Sequence, residues 1–230
     1  AFAGSDICPR INLNYRNQWP TLTANFTTIS ASYDQYVSKL NGGLGLMIMS
    51  DRQSVTNAFK GVYIGGMYAY QLKLNKDWSL RFGAEAAYSQ WSLDANELTF
   101  GDQIHPQRGF IYNTNETFVS QSDNVFDFTA GALGFSDNMY FGIAAHHITE
   151  PELRFIDGAN WPMRINAHFG WKKILSKNGL RDTRASYISP NVIFSTQQGF
   201  HQANIGLYSF NNPMTIGVWY RHVFNYSDAV

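Results

Sequence analysis

Few side chains in this sequence combine the type and the spacing that chemistry requires. His146, His147 and Glu150 could serve as ligands of a metal ion. Adjacent residues of a strand point to opposite faces of a sheet, however, so the two histidines cannot easily share one ion. The spacing also differs from His-Glu-x-x-His, the helical pattern of zinc proteases. The sequence therefore predicts no metal site here, with one histidine on a polar strand face and the other at the rim.

Charged side chains recur on the polar faces of several predicted strands. The six candidates are Arg81, Glu85, Arg164, His168, Lys172 and Arg221. Arg81 and Glu85 lie four residues apart, which is roughly 13 Å along a strand, so each is expected to pair with a neighbouring strand. The basic row from Arg164 to Lys172 could favour an anionic ligand. Arg81 and Glu85 could belong to a polar network that fills or gates a barrel, and simple solvation of a wet interior explains these two side chains equally well.

Motifs for catalysis and cofactor binding are missing from the sequence. It contains no Gly-x-Ser-x-Gly elbow, phosphate-binding loop or Gly-x-Gly-x-x-Gly fingerprint. Gly42-Gly43-Leu44-Gly45 is better explained by strand curvature, because glycine in strands often marks bends. Cys8 is the only cysteine, so no internal disulfide can form. These observations predict a protein that is not an enzyme and that carries no cofactor.

The elements that position these side chains are strands, best seen in the hairpin over residues 60–93. Its second half alternates Trp78, Leu80, Phe82, Ala84, Ala86 and Tyr88 with Ser79, Arg81, Gly83, Glu85, Ala87 and Ser89. A period of two is the geometry of a strand. The apolar row extends over about ten residues, close to the 9–11 residues that a tilted strand needs to cross a bilayer.

The same alternation and the turn residues predict about eleven strands and no helix. We expect them near residues 10–19, 25–35, 42–51, 60–74, 78–93, 125–136, 139–150, 164–174, 186–197, 200–210 and 214–223. Tight turns alternate with long connections over 94–124 and 151–163, as in outer-membrane barrels. The connection over 175–185 breaks this alternation, because it is long where a short turn is expected.

Composition favours a membrane barrel over a soluble sheet. The 230 residues carry 17 basic and 17 acidic side chains, so no charge imbalance points to nucleic acid. Charged residues make up 15%, below the roughly 25% of soluble domains. The sequence predicts an all-β fold, an antiparallel transmembrane β-barrel in outer-membrane lipid. Bacterial barrels close with even strand numbers, whereas about eleven strands are visible here, so we expect the sequence to be a fragment of a longer chain or the closing strands to come from elsewhere.

The long segment over residues 94–124 is the best candidate for a partner-binding loop. It places Phe100, Phe110, Tyr112 and Phe118 among polar residues. Long loops on a rigid scaffold commonly carry function, although plain elaboration of a loop is an equally good interpretation. The connection over 175–185 would suit a partner on the opposite side of the membrane.

Several stretches resemble the PorP/SprF family of outer-membrane proteins of Bacteroidota. They are Ala1-Phe2-Ala3-Gly4-Ser5, Leu13-Asn14-Tyr15-Arg16-Asn17-Gln18-Trp19, Gly43-Leu44-Gly45-Leu46 with the following Ser50-Asp51, Tyr68-Ala69-Tyr70-Gln71-Leu72, and Leu80-Arg81-Phe82-Gly83. The resemblance is specific over roughly the first 95 residues and looser over the rest. Members of that family usually begin upstream of the first match and continue beyond the equivalent of Val230. The resemblance therefore implies that residues 1–230 are a single domain, incomplete at both ends, of an even-stranded barrel of about 14 strands.

The resemblance implies a non-enzymatic barrel of the type IX secretion and gliding-motility machinery, in the outer membrane of a Gram-negative bacterium. Its partner would be a secreted cell-surface protein, such as a gliding adhesin that it anchors, or a component of the secretion apparatus. The alternative is an outer-membrane channel or a transporter of hydrophobic solutes, with the charged residues of the polar strand faces lining the path.

Overall fold

A computed structural model gives the fold. It describes residues 2–6, 8–21, 25–53, 58–116, 119–153, 159–176 and 186–225. Phe118 and residues 177–185 of the predicted 175–185 connection lie outside the described residues. Among the described residues, no helix has the length and apolar character required to cross a membrane.

The described residues contain sixteen strands. They are β1 (Arg10–Gln18), β2 (Phe26–Val37), β3 (Gly42–Gln53), β4 (Phe59–Lys73), β5 (Ser79–Leu93), β6 (Ile104–His105), β7 (Gly109–Phe110), β8 (Gln121–Phe135), β9 (Met139–His146), β10 (Glu152–Leu153), β11 (Ala159–Asn160), β12 (Arg164–Trp171), β13 (Lys173–Ser176), β14 (Ser186–Gln197), β15 (Phe200–Asn211) and β16 (Met214–Asn225). The helices of this part of the chain are 3₁₀ turns of three residues.

Twelve of these strands form one antiparallel sheet. Its order is β1-β2-β3-β4-β5-β8-β9-β12-β14-β15-β16, with β13 paired beside β14. The pairs β6-β7 and β10-β11 are small separate ladders within the connections. Every neighbour in the sheet is the next long strand along the chain, which confirms the predicted all-β, antiparallel fold. Over the described residues, β1 and β16 are the two edges of the sheet and do not pair with each other.

Most strands begin and end within two residues of the prediction, and three strands depart from it further. β8 begins at Gln121, four residues early, because β5 continues to Leu93 and the two strands pair along their whole length. β9 ends at His146 because His147 takes a φ of 56°, which leaves strand geometry. The predicted strand over 164–174 is divided into β12 and β13.

The sheet has one polar and one apolar face along most of its strands. In β5, Arg81 is 4% exposed, whereas Phe82 on the opposite face is 49% exposed. We call the face of Arg81 the inward face, because residues 2–6 pack against it. The outward face continues through β1, β9 and β16, where Leu13, Ile143 and Val218 are more than half exposed.

The two ends of the sheet differ in the length of their connections. At one end, here called the turn end, β4 joins β5 through a turn in which the Asn75 side chain accepts hydrogen bonds from the backbone N–H groups of Asp77 and Trp78. Such side-chain acceptors favour tight turns. The opposite loop end carries the long connections from β5 to β8 and from β9 to β12. One connection at the loop end is short: β14 joins β15 through the two-residue turn Gln198-Gly199. The φ angles of these residues, 45° and 79°, match a type I′ hairpin.

Candidate functional site

All six charged candidates lie on strand positions of the inward face or directly beside them. Arg81 and Glu85 are in β5, Arg164 and His168 in β12, Arg221 in β16, and Lys172 follows β12. They do not form one cluster. Arg81 and Glu85 pair with β4 rather than with each other, as their spacing predicts. Arg221 donates to Asn204 in β15, and Lys172 lies 4.5 Å from the ring centroid of Tyr187.

The N-terminal residues 2–6 cross the inward face close to the turn end, and we call them the inner segment. The backbone N–H of Gly4 donates to Oδ2 of Asp34 at 2.8 Å. The backbone carbonyl of Gly4 accepts from Nη2 of Arg81 at 3.0 Å. Both hydrogen bonds involve a charged group, which makes them stronger than neutral ones. Gly4 is therefore held between β2 and β5 through both of its backbone polar groups.

Glycine is required where the inner segment meets β3. A Cβ atom at Gly43 would lie 2.0 Å from the carbonyl oxygen of Ala3. Gly4 has a φ of 62°, and a Cβ atom there would lie 2.5 Å from the Cα of Gly43. Side chains at either position would collide with backbone, and Gly4 also needs the left-handed conformation that glycine adopts without strain. The segment thus packs backbone to backbone against β3.

Asp34 connects the inner segment to the start of β1. Asp34 is buried, and its carboxylate accepts hydrogen bonds from Nε of Arg10 at 3.0 Å and from Nη2 of Arg10 at 3.1 Å. The remaining nitrogen of Arg10 donates to Asp6 at 2.8 Å. This bidentate geometry is the arrangement in which an arginine binds a carboxylate most specifically. The middle of the inner segment therefore binds this carboxylate directly through Gly4, and its last residue, Asp6, is connected to the same carboxylate through Arg10.

The inner segment extends across the sheet as far as β12. The ring of Phe2 lies 5.6 Å from the ring of His168, centroid to centroid. His168 in turn packs against Tyr140 of β9 at 5.8 Å. Because Asp34 is in β2 and His168 is in β12, five residues cover the inward face between these two strands. The segment lies near the turn end of the sheet.

A second polar group lies nearer the loop end of the inward face. Tyr63 donates a hydrogen bond to Glu85, and His147 Nδ1 lies 2.8 Å from Asp127 Oδ2. His146 faces Thr129, with 3.4 Å between Nδ1 and Oγ1. The expected separation of the two histidines onto a lumen and a rim position is therefore wrong for His147, since its positive φ turns it towards the inward acid Asp127.

These histidines do not form a metal site in the described structure. No group of three or more His, Cys, Asp or Glu side chains in the described ranges could hold a metal ion. Glu150, the third residue of the candidate triad, instead accepts a hydrogen bond from the backbone N–H of Met163 at 3.0 Å.

The predicted partner-binding loop is an ordered hairpin at the loop end. Asp102 accepts from the hydroxyl of Thr114 and from the backbone N–H of Asn115, which closes the loop around β6 and β7. Phe110 is 60% exposed and Tyr112 is 52% exposed, whereas Phe100 is half-buried. Phe118 lies outside the described residues. At the start of the loop, the backbone N–H of Asn96 holds the pKa of Asp94 below its ordinary value.

Sequence reasoning missed Asp34, Asp127 and the role of residues 2–6. Asp34 and Asp127 could have been found in the sequence, because each is a charged residue at a polar-face position within a predicted strand. Their partners could not have been found, because Gly4 and Asp34 lie 30 residues apart and His147 and Asp127 lie 20 residues apart. Only the pairing of the strands and the path of residues 2–6 across the sheet bring these residues together.

Comparison with protein-family models matches residues 1–230 to the family described as type IX secretion system membrane protein PorP/SprF. A search of the curated proteins finds no match.

Proposed function

The chain belongs to the PorP/SprF family of type IX secretion system membrane proteins, and from that membership we propose that it acts as a non-enzymatic barrel of the outer membrane. In this role it binds or anchors a type IX secreted cell-surface protein, or a component of the secretion apparatus. The family match supports a membrane component of the secretion system. The anchoring role, the particular partner and the outer-membrane location are proposals.

The apolar outward face is the observation that carries the membrane assignment. Aliphatic and aromatic side chains are exposed on strand after strand of the same face, whereas the inward face holds buried charges such as Arg81 and Asp127. Soluble monomers rarely expose a contiguous apolar patch larger than a few hundred Å². Side chains that alternate between apolar and polar along each strand are typical of strands placed between lipid and a polar interior.

The hairpin at the loop end is the surface that we propose for partner binding. Phe110, Ile111 and Tyr112 expose at least half of their surface, although the loop is ordered by Asp102. Exposed aromatic side chains on a fixed backbone are typical of the central residues of protein interfaces. An ordered loop also loses little conformational entropy when it binds.

Co-purification from detergent-solubilised membranes of the native host tests the anchoring role. We expect the tagged barrel to retain a secreted surface protein or secretion component, and the paired change Phe110→Ser with Tyr112→Ser to reduce its recovery about tenfold or more. Gln107→Ala in the same hairpin is the matched control and should leave recovery unchanged. A wild-type barrel that purifies alone under mild conditions would contradict the anchoring role.

A channel or transporter is the second candidate function, favoured by the basic side chains of Arg164, His168 and Lys172 near one face. The inner segment argues against free passage, because it lies across that face from β2 to β12. We therefore expect the protein in reconstituted vesicles to conduct little current and to admit little small solute. Steady conductance from the unmodified protein would favour the channel.

A further inference from the structure

Arg81 is a buried cation whose partners are all neutral. Its side chain is 4% exposed and donates to the side-chain oxygen of Gln71 and to the carbonyl oxygen of Gly4. The ion pairs of the described residues do not include it. The nearby acid Asp34 is already bound by Gly4 and Arg10. Arg81 therefore has no counter-charge in the described structure.

One nitrogen of this guanidinium also lacks any hydrogen bond. Nη1 of Arg81 is buried and has no partner among the described residues. Its guanidinium carbon lies 5.8 Å from the ring centroid of Phe135, a cation–π contact that compensates the charge only in part. Buried charges in proteins are normally paired, because removing an isolated charge from water is costly. The missing partner thus points to an anionic ligand.

A cavity of about 730 Å³ lies beside Arg81 at the turn end. Its walls include the aromatic side chains of Phe2, Tyr36, Phe135 and Tyr140. Lys73 contributes a second cation, and the acid of the lining, Asp6, is paired with Arg10 at 2.8 Å. Lys73 is exposed, as expected of a residue at the mouth. The volume falls within the roughly 300–1,000 Å³ of known ligand pockets, where apolar walls and a few polar groups are the usual lining.

We propose that this cavity binds a carboxylate carried on an apolar chain, with Arg81 pairing the carboxylate and the aromatic walls holding the chain. The proposal goes beyond the function proposed above and does not depend on it. Arginine suits a carboxylate because its planar donors match the two oxygens. The C-terminus of an apolar peptide and a fatty acid both have this chemistry.

The test measures binding of a fluorescent peptide of six apolar residues to the detergent-solubilised protein by anisotropy. The peptide is used with a free C-terminal carboxylate and as its C-terminal amide, and octanoate is added as a competitor. We expect the acid peptide to bind about tenfold or more tightly than the amide peptide, because the amide lacks the carboxylate that would accept a charge-assisted hydrogen bond from Arg81. Displacement by octanoate would assign the site to fatty acids as well as peptides.

Substitutions separate this site from binding elsewhere. Arg81→Gln should weaken binding of the acid peptide about tenfold or more and leave the amide unchanged. Arg52→Gln, the matched control, removes one positive charge at the loop end of β3. It should change neither the affinity for the acid peptide nor the affinity for the amide peptide. If Arg81→Gln fails to fold, Lys73→Glu at the exposed mouth of the cavity replaces it in the test. This substitution must lower the affinity for the acid peptide more than the affinity for the amide peptide. Equal affinity for acid and amide, no binding of either the acid or octanoate, or an unchanged acid affinity in folded Arg81→Gln would overturn the proposal.

Discussion

Ala86→Arg is expected to destabilise the inserted protein by about 2–4 kcal/mol, the cost of an arginine on the lipid face at the middle of a barrel strand. Ala86 is exposed, lies halfway along β5 and shares the outward face with Phe82. A guanidinium there must leave water for hydrocarbon or distort the bilayer around it. Urea unfolding of the protein in lipid vesicles measures the change in free energy.

The matched control for this substitution is Gln90→Arg on the same face of the same strand. Gln90 is exposed and lies four residues closer to the loop end, roughly 13 Å along the strand. At that depth the same charge should cost about 0–1 kcal/mol, because the side chain reaches the interface. Equal costs at the two positions would contradict the assignment of the outward face to lipid.

Gly43→Ala is expected to expel the inner segment from the inward face. The added Cβ atom would lie 2.0 Å from the carbonyl oxygen of Ala3, a distance that only displacement of the backbone can relieve. The segment would then lose the hydrogen bonds of Gly4 to Asp34 and Arg81. Overpacking of this kind typically costs about 1–3 kcal/mol, which we expect here as a fall in the free energy of unfolding.

Thiol labelling reports the position of the segment directly. In a Cys8→Ser background, Ala3→Cys places a thiol at a position that is 9% exposed, so maleimide should react slowly. Gly43→Ala should accelerate the reaction about tenfold or more, and Asp34→Ala should do the same because it removes the acceptor of the Gly4 N–H.

Gly66→Ala provides the matched control for Gly43→Ala. A Cβ atom at Gly66 of β4 would meet nothing within 4 Å, so stability and labelling should stay unchanged. Slow labelling in a folded Gly43→Ala protein would show that the inner segment is not held against β3 as described.

The alternation of apolar and polar side chains along each strand was predictable, because it depends only on residues that are neighbours in the chain. Alternation in β5, β9, β12 and β16 separates an apolar from a polar row, and the structure exposes the first row and directs the second inward. The side of the sheet taken by Arg81 or Phe82 follows from this local geometry alone. The antiparallel order also followed, since each long strand pairs with its neighbour in sequence.

The contacts that make the candidate sites were not predictable in the same way. The inner segment is only five residues long and has no periodicity, so nothing local indicates that it turns back across β2, β3 and β5. His147 could not be placed from the sequence either. Strand alternation would put its side chain on the face opposite His146, but a positive φ at the end of β9 turns it towards Asp127.

The sequence by itself determined which residues share the apolar face of the sheet and which share the polar face, because a period of two is a property of each strand. Only the tertiary structure decided that Gly4 lies between Asp34 and Arg81, and that Arg81 is buried without a counter-charge beside an apolar cavity. These facts depend on residues 30 and 77 positions apart in the chain, which the register of the sheet brings within hydrogen-bond distance.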